Sequence, residues 1–384
     1  MGPLIEVRDL EVFYHTKRGP IRAVDRVNLE IQEGKALGLV GESGCGKSTL
    51  GKALLGILPP MTTVRGEILY KMPGSTRAEM ERVEGKLRGE LEPLFDGHRL
   101  DVFDARTIQW TLRELRSRGR AEDGLAAELK DLLEVKLRHD LTSFGQEAMR
   151  RMRGEKVVLI FQDPMSRLDP LMTVRDHFLE LLAAHHSLRR EEAERRAVEA
   201  LASVGIPPTR FRNYPHEFSG GMRQRIMIAM GLVMTPELLV ADEPTTSLDV
   251  LVEGQILELI EELKRSLNMS LFLITHNLGI VAETCDRVGV MYAGKVVEEN
   301  ETDRIFAEPQ HPYTQGLLSS IIHLGTKELR SIEGSPPDLL SPPGGCRFHP
   351  RCPHVMDVCR AKEPPHVAAD EGRVACFLYG GQDD

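Results

Sequence analysis

The most specific chemistry in this chain lies in one run, Gly41, Glu42, Ser43, Gly44, Cys45, Gly46, Lys47, Ser48 and Thr49. It reads G-x-x-x-x-G-K-S. An apolar stretch, Ala36 to Val40, precedes it, and a helical pattern starts near Lys47. A strand, a glycine loop and a helix start make the setting of a phosphate-binding loop. Glycines let successive backbone N–H groups turn inward as an anion nest, and the helix adds the positive end of its dipole. Lys47 then reaches β- and γ-phosphates, and the Ser48 hydroxyl is a ligand for Mg²⁺.

A second acidic site narrows the chemistry. Glu237 to Ala241 reads as a buried strand that ends in Asp242 and Glu243. Ligands of parallel α/β sheets bind at the carboxyl ends of strands, so this placement suits Asp242 as a Mg²⁺ ligand and Glu243 as the group that orients attacking water. Gln162 and His276 follow two more apolar strands, Val157–Phe161 and Leu271–Thr275. Phe13-Tyr14 ends another strand and offers a platform for a purine ring. Ser219-Gly220-Gly221 opens a second helix whose N-terminus suits phosphate. One nucleotide does not need two such nests from one chain. Two chains packed head to tail do.

These groups need elements to hold them. Short apolar pieces at Leu4–Val7, Leu10–Tyr14, Val27–Ile31 and Ala36–Val40 read as strands, with a turn at His15–Pro20. Gly66–Tyr70 and Lys156–Phe161 follow. Between them Met80, Val83, Leu87 and Leu91, then Ile108, Leu112 and Leu115, then Leu125, Leu129 and Leu132 recur at helical spacing. This predicts an inserted unit of three or four helices over about 73–150. Residues 173–234 read mostly as helix, 250–267 as helix, 270–275 as strand, and 287–298 as a hairpin over Tyr292-Ala293-Gly294. From about Gln310 the composition shifts to a Pro- and Gly-rich tail.

At 384 residues the chain is long enough for more than one folding unit. Its net charge of −9 gives no general attraction to nucleic acid or anionic membrane. No run of about 18 apolar residues predicts a membrane-spanning helix, and the first residues lack a signal-peptide h-region, so a cytoplasmic protein is expected.

With these motifs in this order, the chain resembles an ATP-binding-cassette ATPase subunit of the oligopeptide/dipeptide importer branch. The matching stretches are Gly41–Thr49 (Walker A), Gln162-Asp163-Pro164 (Q-loop), Phe218–Gln224 (signature), Leu238–Glu243 (Walker B), Ser247-Leu248-Asp249 (D-loop) and His276 (switch histidine). Phe161–Met165, Met291–Gly294, His311-Pro312-Tyr313-Thr314 and Gly334-Ser335-Pro336-Pro337 resemble the branch. The resemblance implies an α/β fold: a cassette core with a mixed sheet and an antiparallel β-subdomain, plus a helical subdomain (about 163–234), the helical insertion and a loop-rich extension. It divides the chain into a nucleotide-binding domain, 1–300, and a C-terminal extension, 301–384.

The resemblance also implies roles. Tyr14 stacks on adenine, with Phe13 as the alternative. Lys47 and the amides of Gly44, Cys45, Gly46, Ser48 and Thr49 hold phosphates, within the loop that Gly41 and Ser43 begin. Ser48, Gln162 and Asp242 serve Mg²⁺. Glu243 is the general base and His276 contacts the γ-phosphate. Ser219, Gly220 and Gly221 serve the partner's nucleotide, and Asp249 lies across the dimer interface. Segment 163–172 meets the permeases. The implied assembly is two transmembrane permeases, a second ATPase (a homologue, or this same chain) and, indirectly, an extracytoplasmic solute-binding protein, at the cytoplasmic face of the membrane. Nucleic acid is not an expected partner. The contrasting readings are a soluble cassette ATPase of DNA repair or translation, and a metal-dependent regulatory ATPase. Departures from the pattern are Asn277 in place of an aspartate, Arg167 and Asp169 after the Q-loop, and the insertion.

The tail carries Cys346, Cys352, Cys359 and Cys376, with gaps of five, six and sixteen residues. Four thiolates can hold a [4Fe–4S] cluster or zinc. Zinc ribbons favour closer pairs, so the spacing favours iron–sulfur, and some subunits of the resembling branch carry such a cluster. Cys45 lies beside a helix N-terminus, which predicts a lowered thiol pKa and an ATPase sensitive to thiol reagents.

Overall fold

In the computed structural model, residues 2–95, 103–120, 124–160, 168–186, 188–245, 250–320, 331–369 and 371–380 are described. Strands β1 (Ile5–Thr16) and β2 (Gly19–Ile31) form a long antiparallel hairpin, and β4 (Thr62–Tyr70) pairs with the other edge of β1. The separate pieces read at Leu4–Val7 and Leu10–Tyr14 are one strand. Asp9 and Arg26 take left-handed φ values of 44° and 51°, which interrupts the alternation of side chains without ending the pairing.

The second sheet has the order β10-β11-β9-β8-β3-β7-β6-β5. Its strands are β3 (Ala36–Val40), β5 (Val157–Ile160), β6 (Leu238–Asp242), β7 (Ser270–Ile274), β8 (Arg287–Tyr292), β9 (Lys295–Glu301), β10 (Val367–Ala369) and β11 (Gly372–Val374). Strands β5, β6, β7, β3 and β8 run parallel, while β9, β11 and β10 are antiparallel additions. Strands β3, β6 and β7 are buried along their whole length, as their continuous apolar runs require of a sheet covered on both faces. One face packs with helix α1 (Lys47–Leu54) against the antiparallel sheet. The other packs against α6 (Val174–His185), α7 (Arg190–Ser203), α8 (Gly220–Leu232) and α9 (Val250–Leu267).

The insertion has its own core. Helices α2 (Gly74–Leu91), α3 (Ala105–Ser117) and α4 (Gly124–His139) bury Leu87, Leu91, Ile108, Leu115 and Leu129 together. Asp104 caps α3 by accepting the Thr107 N–H at 2.7 Å. The fourth helix, α5 (Gln146–Glu155), instead sends Met149 and Met152 into the core under the sheet. Lys136 is fully buried and bonded to Glu67 of β4 and Glu84 of α2. Asp140 accepts the N–H of Ile68 at 3.0 Å. These polar contacts lock the inserted helices onto the antiparallel sheet.

Candidate nucleotide site

All five parallel strands deliver their carboxyl ends to one edge. Strand β3 ends at Val40 and leads directly into Gly41. Gly41 has φ 153°, and a Cβ there would lie 2.1 Å from the Met291 carbonyl oxygen. Gly46 has φ 110° and precedes α1; a Cβ there would lie 2.0 Å from the Ala23 carbonyl oxygen. Both positions exclude side chains by backbone contact. The loop can therefore turn its amides inward. Lys47 is buried, and its ammonium donates to the carbonyls of Gly41 at 2.7 Å and Glu42 at 3.0 Å. It arches over the loop, where a phosphate can compete for the same protons.

The Ser48 hydroxyl donates to Asp242 Oδ1 at 2.9 Å. Loop and second acidic site, 194 residues apart in sequence, are thus in direct contact. Burial pushes the Asp242 carboxyl up, while the Ser48 hydrogen bond opposes it. A hydroxyl and a carboxylate at this separation are the hard oxygen donors that Mg²⁺ takes beside phosphates, so the donor set fits that ion.

Glu243 follows at φ 46°, a left-handed conformation that costs a non-glycine residue about 1 kcal/mol or more. Its N–H donates to the Ile274 carbonyl at 2.8 Å, which ties the turn to β7. From there its carboxylate reaches His276, with Nδ1 to Oε1 at 3.2 Å. The His276 side chain is 65% exposed, so it can move toward a ligand. Asn277 takes the aspartate's place without loss of structure. It caps α10 (Leu278–Thr284) by accepting the Gly279 N–H at 3.1 Å.

Tyr14 lies beside the loop, its hydroxyl 3.0 Å from that of Thr49. Phe13 lies under Arg22 instead, 5.9 Å from the guanidinium. Ser219 caps α8 by accepting the Met222 N–H, and Ser219 is exposed on its surface. Gln162, with Asp163 and Pro164, and Asp249, with Ser247 and Leu248, lie outside the described residues.

Burial corrects one expectation. Cys45 is 5% exposed, and desolvation pushes its thiol up, outweighing nearby Lys47. The helix N-terminus does not produce a reactive thiolate here. Sequence reasoning also gave no role to Gln224, whose fully buried amide donates to the Pro244 carbonyl at 2.6 Å. This bond joins the signature helix to the residue after Glu243. The roles of three tail residues were missed as well: Tyr313 and Arg351 bond Glu42 of the phosphate loop, and Arg347 bonds the Ala293 carbonyl beside it. Only structure-wide pairing could reveal them.

The four tail cysteines converge. Each thiol lies within electrostatic reach of the other three, and burial pushes Cys346 up to about 11. Yet among the described residues no group of three or more His, Cys, Asp or Glu is gathered as a metal ion requires. The expected [4Fe–4S] or zinc centre at Cys346, Cys352, Cys359 and Cys376 is therefore not supported by this geometry.

A family model described as ABC transporter matches residues 24–125 and 133–246, and one described as oligopeptide/dipeptide transporter, C-terminal region, matches residues 297–359. The chain is 38% identical to the dipeptide transport ATP-binding protein DppD of Bacillus subtilis, over 98% of this chain and 95% of that one. It belongs to the ABC transporter family, as an ATP-binding subunit of the oligopeptide/dipeptide branch. The oligopeptide transport ATP-binding protein OppD of Salmonella typhimurium is also 38% identical, over 97% of this chain and 93% of the relative. A solved dimeric ATP-binding cassette with ADP and Pi bound shares the fold, at TM-score 0.54, 20% identity, 78% of this chain and 98% of that one. The ABC subunit is an energy-coupling ATPase, for which ATP and Mg²⁺ are the expected cofactors. Among its described residues, no helix is long and apolar enough to cross a membrane.

Proposed function

We propose that this ABC subunit couples ATP hydrolysis to the import of oligopeptides, dipeptides or similar small solutes. It works as one half of a head-to-tail ATPase pair on two permeases, peripheral to the cytoplasmic face of the membrane, with a solute-binding protein outside. The names of its relatives support the solute class. The observation that carries the chemistry is the contact of Ser48 with Asp242 beside the Glu243–His276 pair, all at strand ends around one phosphate loop.

In this reading Lys47 leaves the Gly41 and Glu42 carbonyls for the β- and γ-phosphates, while loop amides hold the remaining oxygens. Tyr14 stacks on the adenine. Ser48 and Asp242, with Gln162, hold Mg²⁺, which when bound neutralises charge on the phosphates. Glu243 accepts a proton from the attacking water, and His276 swings from Glu243 to the γ-phosphate. Ser219, Gly220 and Gly221 close over the nucleotide of the other ATPase, and Asp249 lies at that interface. Segment 163–172 passes the motion to the permeases, and hydrolysis reopens the pair.

The cysteine tail is read as holding a [4Fe–4S] cluster, with zinc as the alternative. What supports it is the number and spacing of the four cysteines in the tail. Anaerobically purified protein is expected to contain about four irons per chain, a count set by the cluster type; neither iron nor zinc by elemental analysis refutes both. The transport reading is tested by affinity isolation from native cells. Integral-membrane subunits are expected with the chain, and recovery only with ribosomes or nucleic acid contradicts it.

A further inference from the structure

The phosphate loop is gripped from behind by the C-terminal extension, at a residue that the phosphate-loop pattern leaves unspecified. Glu42 is held at both ends. Its carboxylate accepts a two-pronged hydrogen bond from Arg351, with Nη1 to Oε2 at 2.7 Å and Nη2 to Oε1 at 3.0 Å. Its backbone N–H donates to the Tyr313 hydroxyl at 2.9 Å. Its carbonyl is one of the two that hold the Lys47 ammonium. The position of Glu42 therefore sets where Lys47 starts from.

Arg351 is itself firmly seated. Its side chain is 6% exposed, and Nε donates to the Glu333 carbonyl at 2.9 Å. A planar guanidinium with its donors committed at fixed angles places a carboxylate more sharply than a lone ammonium can. A second brace runs in parallel. Buried Arg347 donates to the Ala293 carbonyl and to Asp25, and the neighbouring Gly294 N–H donates to the Cys45 carbonyl at 2.8 Å. Both arginines lie between Cys346 and Cys352.

We propose that Arg351 is a positioning residue for ATP: acting through Glu42, it holds the phosphate loop in its binding-competent shape. The C-terminal extension is then part of the nucleotide site's support, and segment 346–352 transmits its own order to the loop. The proposal rests on the reading of Gly41–Thr49 as the ATP loop.

The test uses the full-length chain, a fluorescent ATP analogue and steady-state hydrolysis. Arg351→Ala is expected to weaken analogue binding and raise the KM for ATP roughly tenfold, within the range of coupling between contacting residues. The kcat at saturating ATP stays within twofold, because Arg351 touches neither Glu243 nor His276. Arg351→Lys restores part of the affinity and covers the case in which alanine fails to fold. Glu42→Ala weakens binding to a similar degree, and the double variant is no weaker than either single one. Lys47→Ala separates the two readings. If it binds the analogue as well as the unmodified chain, the ATP-loop reading fails, and this proposal with it. If Lys47→Ala is defective while Arg351→Ala binds within twofold of normal, only the positioning role fails. Fully additive losses in the double variant, or a fall in kcat with KM unchanged, also overturn it.

Discussion

Asp242→Asn isolates the charge at the Mg²⁺ position from the packing around it. Asp242 is 5% exposed, and its Oδ1 accepts the Ser48 hydroxyl at 2.9 Å. An asparagine carbonyl can keep that bond in nearly the same volume. Burial already works against the charged carboxylate. Neutralising it therefore costs the fold little, and the melting temperature is expected to hold or rise. The loss falls on the cation instead. Removing one carboxylate from the donor set, while Ser48 remains, should raise the Mg²⁺ concentration for half-maximal hydrolysis by about 10- to 100-fold, the range typical of tuning residues at metal sites. That corresponds to about 1.4–2.8 kcal/mol. Binding of ATP in EDTA should be unchanged or tighter, because a negative charge has left the neighbourhood of the phosphates. The assay is a Mg²⁺ titration of hydrolysis beside a nucleotide titration without metal. A half-saturation within twofold of the unmodified chain, or loss of metal-free ATP binding, would refute the assignment of Asp242.

Two further outcomes follow from buried groups. Burial, despite Lys136 alongside, pushes Glu67 up to about 7 from the usual 4.5. The folded chain thus holds this proton more tightly than the unfolded chain. Its stabilising effect is complete below about pH 4.5 and lost as pH rises through about 7. Glu67→Gln should flatten this slope, worth roughly 3 kcal/mol, in urea unfolding at pH 5 and pH 8; an unchanged slope speaks against it. Cys45, buried with a raised pKa, should react slowly with N-ethylmaleimide at pH 7 in the native chain and quickly in urea. Equal rates by peptide mass spectrometry would show that burial does not protect it.

The site was legible where chemistry is local in sequence. The phosphate loop, the acids at the end of β6 and the histidine after β7 each follow an apolar run that reads as a buried strand, and a parallel sheet brings such strand ends together. The length of β1 was not legible, because a left-handed Asp9 breaks the alternation on which a strand reading depends. Lys136 lies on the apolar face of α4, and nothing nearby in sequence announces the Glu67 partner 69 residues away. Arg351 and Glu42 are 309 residues apart. Cys45 misled because its helix is visible in sequence and its burial is not. The tail cysteines announced a metal by number and spacing, but spacing along a chain does not fix the distances between thiols.

The central claim is that this loop is half of a site, with Glu243 as its base and a second ATPase chain as its lid. Glu243→Gln, incubated with Mg²⁺ and ATP and examined by sedimentation together with a hydrolysis assay, addresses both parts. The expected result is hydrolysis reduced by about 10²- to 10⁴-fold, the usual contribution of a general base, with ATP retained in a dimer that the unmodified chain forms only transiently. Hydrolysis within a few fold of normal, or an ATP-bound variant that pairs neither with itself nor with a co-expressed second ATPase subunit, contradicts the account.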